Sequence, residues 1–250
     1  MMNALLTVNH IEKSFPARSG NGIKHVLKDV SIHLNEGEIV SLLGVSGGGK
    51  TTLFNIIAGI YPPDSGEVLL DGENITGKPG HISYMLQKDL LFPYKRVIDN
   101  VALPLVLRGL SKKEARAAAQ EHFETFGLAG YEMHYPGALS GGMRQRAALL
   151  RTYLSSEGVA LLDEPFSALD TITKSKMHRW YLDVMREIRL STLLITHDID
   201  EAILLSDRIY ILSEGQIKSE IVIDAAKPRA EDFNLSEAFL AYKRQIVGLL

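Results

Sequence analysis

The segment from residue 44 to residue 52 limits what this chain can fold into more than any other. It reads Gly-Val-Ser-Gly-Gly-Gly-Lys-Thr-Thr and matches every fixed position of the pattern Gly-x4-Gly-Lys-Thr. A short, mostly apolar run at residues 38–43 precedes it, and a helical pattern at residues 53–58 follows it. Glycines let the backbone approach an anion closely, and loop N–H groups and the positive end of a helix attract that anion. The segment therefore predicts a strand, a phosphate-binding loop and a helix in succession.

Each position of this loop has a predicted role in binding a nucleoside triphosphate. The ammonium group of Lys50 would contact the β- and γ-phosphates, and the hydroxyl of Thr51 would coordinate Mg²⁺. The other loop positions expected to bind the nucleotide are Gly44, Ser46, Gly47, Gly48, Gly49 and Thr52. The alternative is a glycine-rich turn after a strand, with Lys50 merely solvated.

Two adjacent acidic residues, Asp163 and Glu164, follow an apolar run at residues 159–162. This places Asp163 at the carboxyl end of a buried strand, the edge of an open α/β sheet where ligands bind. Asp163 fits a carboxylate that holds Mg²⁺, directly or through water. Glu164 fits a general base for an attacking water, because the next residue at a strand exit turns in another direction. A solvated acidic pair at a strand end is the alternative.

A second glycine-rich segment, residues 139–146, opens another predicted helix far along the chain from the first. Ser140, Gly141 and Gly142 would offer a hydroxyl, backbone N–H groups and a helix N-terminus, all suited to an anion. One triphosphate is not easily held by two such loops of one small domain. It could be held between two copies of the chain.

The remaining pattern predicts the α/β class. Alternating residues in the first ~40 positions indicate an antiparallel β region, with Gly20-Asn21-Gly22 as a turn. Short apolar strands at 159–162 and 192–196, separated by a helical stretch at 174–188, indicate a mixed and mainly parallel sheet. Further predicted elements are a smaller, mostly helical lobe at about 90–155, an Ala-rich helix at 115–126 behind a Ser111–Glu114 capping box, a hairpin at 209–218 and a helical tail at 235–250.

Composition narrows the possibilities. The chain has 250 residues, which suits one large domain or a core with a smaller lobe. It has no cysteine, which excludes disulfides, and its net charge of −3 gives no overall basic surface for nucleic acid. The first residues show no signal-peptide pattern, and apolar runs are shorter than the ~20 residues of a membrane span, so we expect a membrane role only through a partner.

Taken together, these motifs resemble the ATP-binding subunits of ABC transporters over nearly the whole chain. The phosphate loop, the 139–145 signature and the Leu162-Asp163-Glu164 motif stand in the family's order. The resemblance adds further positions that match family motifs. It implies that Phe15 stacks on adenine, and that Gln87, between the core and the helical lobe, contacts the nucleotide and Mg²⁺. It also implies that Asp170, in the loop 167–170, binds the nucleotide and that His197 contacts the γ-phosphate and orients water with Glu164. Two positions depart from the family: Met143 stands where Gln is more usual, and Phe15 where Tyr is common. For Phe15 a core or loop role is the alternative.

The resemblance also implies a mechanism and partners. Two subunits would face each other head to tail, with Ser140–Gly142 of one completing the ATP and Mg²⁺ site of the other. The partners would be a second copy or a homologous ATPase subunit, a membrane permease and, indirectly, a solute-binding protein, with the chain on the cytoplasmic face. Residues 165–170 and Met143–Arg146 look most like the importers for nitrate, sulfonate, taurine and thiamine precursors.

The implied division of the single domain is a core at 1–87 and 156–224, a helical subdomain at 88–155 and a tail at 225–250. Residues 88–94 would help form a groove for the permease, or else belong to the lobe core. The tail would pack on the core through Leu235, Phe239, Tyr242, Ile246 and Leu249, with a regulatory contact as the alternative.

Two other functions remain open. A soluble ABC ATPase acting on ribosomes or DNA would usually carry two cassettes or a long insertion, and neither is present. A small-molecule kinase would not explain Ser140–Gly142.

Overall fold

Two β-sheets flanked by helices form the fold in the computed structural model, which describes residues 4–17, 22–227, 229–230 and 232–250. The larger sheet has six strands and is parallel except at one edge, where its first two strands in spatial order pair antiparallel. In spatial order its strands are β10 (Gln216–Val222), β9 (Arg208–Ser213), β3 (Ile39–Leu43), β8 (Ser191–Thr196), β7 (Val159–Asp163) and β6 (Ser83–Met85).

The smaller sheet is antiparallel and has four strands. In spatial order they are β2 (Ile23–Leu34), β1 (Leu6–Pro16), β4 (Ser65–Leu70) and β5 (Glu73–Asn74). The first two confirm the predicted antiparallel region. Of the predicted turn between them, Gly20 and Asn21 lie outside the described residues.

Eight α-helices surround the sheets in the described part of the chain. They are α1 (Lys50–Ile57), α2 (Val97–Val101), α3 (Leu103–Leu107), α4 (Lys112–Gln120), α5 (Gly141–Ser155), α6 (Thr171–Ile188), α7 (Ile199–Leu205) and α8 (Glu237–Val247). Single 3-10 turns occur at Pro136–Ala138 and Phe233–Leu235. None of the helices in these residues is long and apolar enough to span a membrane.

The central strands of the larger sheet are buried along their whole length. Every residue of β3, β7 and β8 is inaccessible to solvent or nearly so. One face of this sheet packs against helices that include α5 and α6, and the other packs against α1 and the smaller sheet, so these strands read as continuous apolar runs and not as alternation. The sheet thereby confirms the predicted α/β class with a mixed, mainly parallel sheet.

The segment between β6 and β7 is mostly helical, as predicted for the smaller lobe, and α5 is its longest helix. The Ser111–Glu114 capping box is present, with reciprocal side-chain and backbone hydrogen bonds. The helix it starts ends at Gln120 and not at 126, because the chain turns there to bury Phe123 and Phe126 completely. The division at residues 87/88 and 155/156 stays a prediction.

The carboxyl-terminal part follows the predicted order with two differences. The hairpin β9–β10 is present, and α6 begins at Thr171, three residues before the predicted start. In the tail, Phe239 and Ile246 are buried against the β9 side of the sheet, as expected. Leu235 and Leu249 are exposed, so their predicted packing is wrong.

Three strands, β4, β5 and β6, were not anticipated. The signal for the first two is Asp71-Gly72, which forms the tight hairpin turn between them with φ of 47° and 79°. Strand β6 has three residues, too few for a periodic pattern.

Candidate nucleotide and hydrolysis site

The carboxyl ends of three parallel strands place the predicted site residues at one edge of the larger sheet. Leu43, the last residue of β3, pairs with Thr196 of β8. Asp163, the last residue of β7, pairs with Ile195. The phosphate loop, Glu164 and His197 each follow one of these strands, so they leave the sheet side by side.

The phosphate loop depends on two glycines for its shape. Gly49 caps the amino end of α1 at a φ of 102°, a conformation that other residues rarely adopt. A Cβ on Gly44 would lie 2.2 Å from the carbonyl oxygen of Leu212 in β9, so the loop would have to shift. These positions hold the loop against the sheet with its backbone free to face a ligand.

Lys50 lies folded over its own loop. Its ammonium group donates hydrogen bonds to the carbonyl oxygens of Gly44 at 2.7 Å and Val45 at 2.9 Å. Burial lowers the pKa of Lys50, and the charges of Glu164 and Asp163 oppose that shift. A desolvated cation at a helix N-terminus is suited to exchange these carbonyls for phosphate oxygens.

Asp163 is a buried carboxylate with neutral partners. Its Oδ2 accepts long hydrogen bonds from the hydroxyls of Thr51 (3.4 Å) and Tyr84 (3.3 Å), and only 8% of the residue is exposed. Burial raises the pKa of Asp163, and the charge of Glu164 adds to that shift. Burial and the Asp163 charge likewise raise the pKa of Tyr84.

These contacts fit the predicted Mg²⁺ role. No group of three or more His, Asp or Glu side chains in the described residues could enclose a metal alone. Mg²⁺ typically binds through one or two protein oxygens together with substrate phosphates and water. Thr51 and Asp163 supply such a pair, and a cation there would compensate a carboxylate that burial disfavours.

Glu164 stands between two other predicted residues. One carboxylate oxygen accepts from Gln87 Nε2 at 3.1 Å, and the other lies 3.1 Å from His197 Nδ1. Gln87 Nε2 also donates to Ser167 Oγ at 3.3 Å. The backbone of Glu164 is left-handed, with a φ of 47°, and its N–H donates to the Ile195 carbonyl. This turn separates its side chain from that of Asp163, which is what a base distinct from the metal ligand requires.

A cleft of about 280 Å³ opens beside the phosphate loop. Its lining residues are Lys24, Val26, Ser46, Gly47, Gly49, Lys50, Thr51, Thr52, Glu164 and Ile195. Sequence reasoning missed Lys24 and Val26, and it missed Tyr84 beside Asp163. No local motif marks them, because the strand pairing of β2 and β6 brings them to the site.

Phe15 lies in β1 opposite Lys24 and near the cleft, although it does not line it. Its ring makes an edge contact with Tyr61 at 6.3 Å, and the Lys13 ammonium lies 5.5 Å from the ring centre. The ring is half-buried, so a face can still stack on a base.

Ser140 and Asp170 each cap a helix. The Ser140 hydroxyl accepts from the N–H of Met143 at the start of α5. The Asp170 carboxylate accepts from the N–H groups of Ile172 and Thr173 at the start of α6. The Thr173 side chain first, and then these N–H groups, lower the pKa of Asp170. Neither residue, nor Gly141 or Gly142, is among those that line the cleft. The structure thus brings together Lys50, Thr51, Asp163, Glu164, Gln87 and His197, and leaves the signature outside that group.

Comparisons with known proteins point to a single family. The family model for "ABC transporter" matches residues 27–167. The formylaminopyrimidine import ATP-binding protein ThiZ of Halalkalibacterium halodurans is 44% identical over 213 residues, which cover 85% of this chain and 81% of that protein. The nitrate import ATP-binding protein NrtD of Synechocystis sp. is 36% identical over 253 residues, with coverage of 98% and 94%.

Among solved structures, the dimeric ATP-binding cassette MJ0796 bound to ADP and Pi has a TM-score of 0.74. It is 30% identical and covers 88% of this chain and 100% of its own. The chain belongs to the ABC transporter family. It is an ABC-type ATPase that binds ATP, and the resemblance to the nitrate, taurine and thiamine-precursor importer subunits is confirmed.

Asp163→Asn should stabilise the protein without nucleotide while impairing Mg-ATP binding. The folded-state pKa of Asp163 lies above its ordinary 3.8, so the unfolded chain releases this proton first as pH rises. Ionisation therefore lowers stability between 3.8 and the folded pKa, and the full cost persists at neutral pH. A gain of about 1 kcal/mol would raise Tm by ~2–4 °C in a chain of this size.

Thermal melts at pH 7 with and without Mg-ATP measure both effects, and the gain should vanish in acid below the ordinary pKa. Asp183→Asn, an exposed carboxylate on α6, serves as the control. A lower or unchanged Tm for Asp163→Asn at pH 7 would contradict the burial argument.

Proposed function

We propose that this chain hydrolyses ATP as a head-to-tail dimer and drives solute import through a separate membrane permease. The observation that carries the proposal is the composition of the cleft. All its lining residues come from the two-sheet core, while Ser140–Gly142 forms a helix N-terminus outside it. A second copy turned head to tail would bring that N-terminus to the γ-phosphate. Each site would then contain residues of both chains.

The chain's own groups would divide the work as follows. Lys50 and the loop N–H groups bind the phosphates, and Phe15 stacks on adenine with Lys24 and Val26 beside it. Thr51 and Asp163 hold Mg²⁺, which neutralises charge on the β- and γ-phosphates when bound. Glu164 accepts a proton from the attacking water, and its Oε1 is oriented by His197. Gln87, which contacts the other oxygen, joins this base to the loop that enters the helical lobe.

The proposed permease contact is the segment at residues 88–94. Tyr94 is 71% exposed and packs beside Phe92 with ring centres 5.6 Å apart, whereas Leu91 is buried in the lobe. The lobe-core alternative therefore applies to Leu91, while Leu90, Phe92 and Tyr94 present an apolar surface. This surface begins at Leu90, three residues after Gln87, so a contact there would reach Glu164 through the Gln87 side chain. The chain would sit on the cytoplasmic face of the membrane.

The known relatives support import and not export. ThiZ, NrtD and the taurine import protein TauB of Sinorhizobium fredii, 39% identical over 249 residues, are all import ATP-binding proteins. A binding protein that delivers the solute to the permease would complete such a system.

Glu164→Gln should retain ATP binding and lose turnover. Glutamine keeps the size and the hydrogen bonds to Gln87 or His197 but cannot accept the proton, so the rate should fall about 10²–10⁴-fold. Phosphate release, without any added acceptor, and dimer mass in Mg-ATP are the measurements. We expect a stable ATP-bound dimer.

Glu157→Gln is the matched control, since Glu157 is an exposed carboxylate with only a 3.6 Å contact to Arg108. Near-normal hydrolysis by Glu164→Gln would exclude Glu164 as the base. ADP formation that requires an added acceptor and releases no free phosphate would favour a kinase instead.

Two inactive variants should restore activity when mixed if the dimer is head to tail. Lys50→Ala disables one chain's phosphate loop. Gly141→Asp would place a carboxylate against the γ-phosphate. The substitution should not disturb folding, because aspartate is favourable at a helix N-terminus and its Cβ would lie no closer than 3.7 Å to a neighbouring side chain. In a mixed dimer one site has both defects and the other has none.

ATPase assays of each variant alone and of the mixture measure this directly. Alone, each variant should be nearly inactive because both of its sites are defective. A mixture with no activity above the sum of its parts, while mass analysis shows mixed dimers, would rule out sites shared in this way.

A further inference from the structure

A partly buried charge network connects α6 and α7 next to His197. Glu201 of α7, 2% exposed, accepts from Lys174 of α6 at 3.1 Å and lies 3.2 Å from His178 Nε2. Lys174 also reaches the Asp198 carboxylate at 2.6 Å. Burial lowers the pKa of Lys174, but the hydrogen bonds and charges of Asp198 and Glu201 outweigh it and raise the pKa overall. Lys174 is therefore a firmly held cation between two helices.

Asp198, the residue after His197, is fixed by both of its oxygens. Oδ1 accepts from the N–H groups of Asp200 and Glu201 and caps α7, while Oδ2 accepts from Lys174. Its own N–H donates to Thr196 Oγ1 at 3.0 Å. His197 is thus held between the end of β8 and an anchored cap, and this fixes where its ring can reach.

The same lysine is tied to the loop that follows Glu164. The Lys174 N–H donates to the Asp170 carbonyl at 2.8 Å, in the first turn of α6. At the other end of that loop, the Ser167 N–H and hydroxyl both bond to the Glu164 carbonyl. The ring of Phe166 meets His178 at 5.0 Å, a second link from the loop to the Glu201 network.

We infer that Lys174 is a positioning residue for hydrolysis: it holds Asp198 so that His197 stays against Glu164, and it transmits the position of the 164–170 loop to His197. The contacts close a ring from Glu164 through the loop and Lys174 to His197 and back to Glu164 at 3.1 Å. The inference rests on the proposed roles of Glu164 and His197. In the proposed dimer Asp170 would lie toward the partner, so binding of the partner would affect the position of His197.

The test compares Lys174→Met, Lys174→Arg and Asp198→Asn by ATPase kinetics, with rates expressed per ATP-binding chain. Lys174→Met should lower kcat about 10-fold, since small displacements of catalytic groups are costly. KM for ATP should stay within about twofold, because the phosphate loop is untouched. Lys174→Arg keeps the charge and should restore most of kcat.

Lys174→Met removes the cation beside the buried Glu201 carboxylate and so could disturb folding. Asp198→Asn is the second variant, which tests the same link while keeping that cation. Asparagine remains a good helix cap, so α7 is kept while the link to Lys174 loses its charge. It should lower kcat in the same direction without a matching loss of Tm. Lys243→Met is the matched control. Lys243 of α8 forms a 2.6 Å ion pair with Asp200 of α7, which is two residues from Asp198.

His197→Ala distinguishes a failure of the proposed role of His197 from a failure of the Lys174 inference alone. If His197→Ala hydrolyses ATP normally, the proposed role of His197 fails, and the Lys174 inference fails with it. If His197→Ala is impaired but Asp198→Asn and Lys174→Met behave like Lys243→Met, only the inference is overturned. Combined with His197→Ala, Lys174→Met should cause no further loss, whereas an equal loss in both backgrounds would show a merely structural lysine.

Discussion

The parallel register of β3, β8 and β7 is the constraint on which the rest of the structure depends. Because Leu43 is level with Thr196 and Asp163 with Ile195, three chain exits meet at one edge. No long loop is needed to bring Glu164 within 3.1 Å of His197. Successive side chains on a strand face opposite sides, so a shift of β7 by one residue would turn Asp163 away from Thr51. The chemistry of the cleft is thereby a consequence of strand pairing in a fully buried sheet.

At that edge the fold leaves two charges in an unfavourable setting. Burial raises the pKa of Asp163 and lowers the pKa of Lys50, so each group is disfavoured in its charged form. Lys50 donates to two carbonyls of its own loop, and Asp163 accepts from two hydroxyls. Phosphates and a divalent cation would complement these two charges. Ligand binding would thus relieve a cost that folding alone leaves in place.

Contiguous motifs could be predicted from the sequence, whereas contacts set by distant pairing could not. The phosphate loop, Asp163-Glu164 and the Ser111 capping box each carry their information within nine residues. The resemblance implied that His197 acts with Glu164, and the two lie 3.1 Å apart, whereas the contact of Gln87 with Glu164 was not predicted. Lys24 and Tyr84 reach the site through the pairing of β2 and β6, which no local pattern reveals. The end of α4 at Gln120 was missed for a similar reason, since burial of Phe123 and Phe126 overrides helix propensity.

Helices α5 and α6 both need a side chain to cap the free N–H groups at their N-termini, but the two caps differ in charge. Ser140 and Asp170 each satisfy N–H groups of their own helix, but Asp170 brings a negative charge to its N-terminus while Ser140 leaves its end neutral. A neutral N-terminus retains attraction for an anion, and a capped anionic one does not. The γ-phosphate of a facing chain would therefore favour α5, and a contact of the partner near Asp170 would instead displace the start of α6. Lys174, one turn further along that helix, would pass such a displacement to Asp198, the residue next to His197.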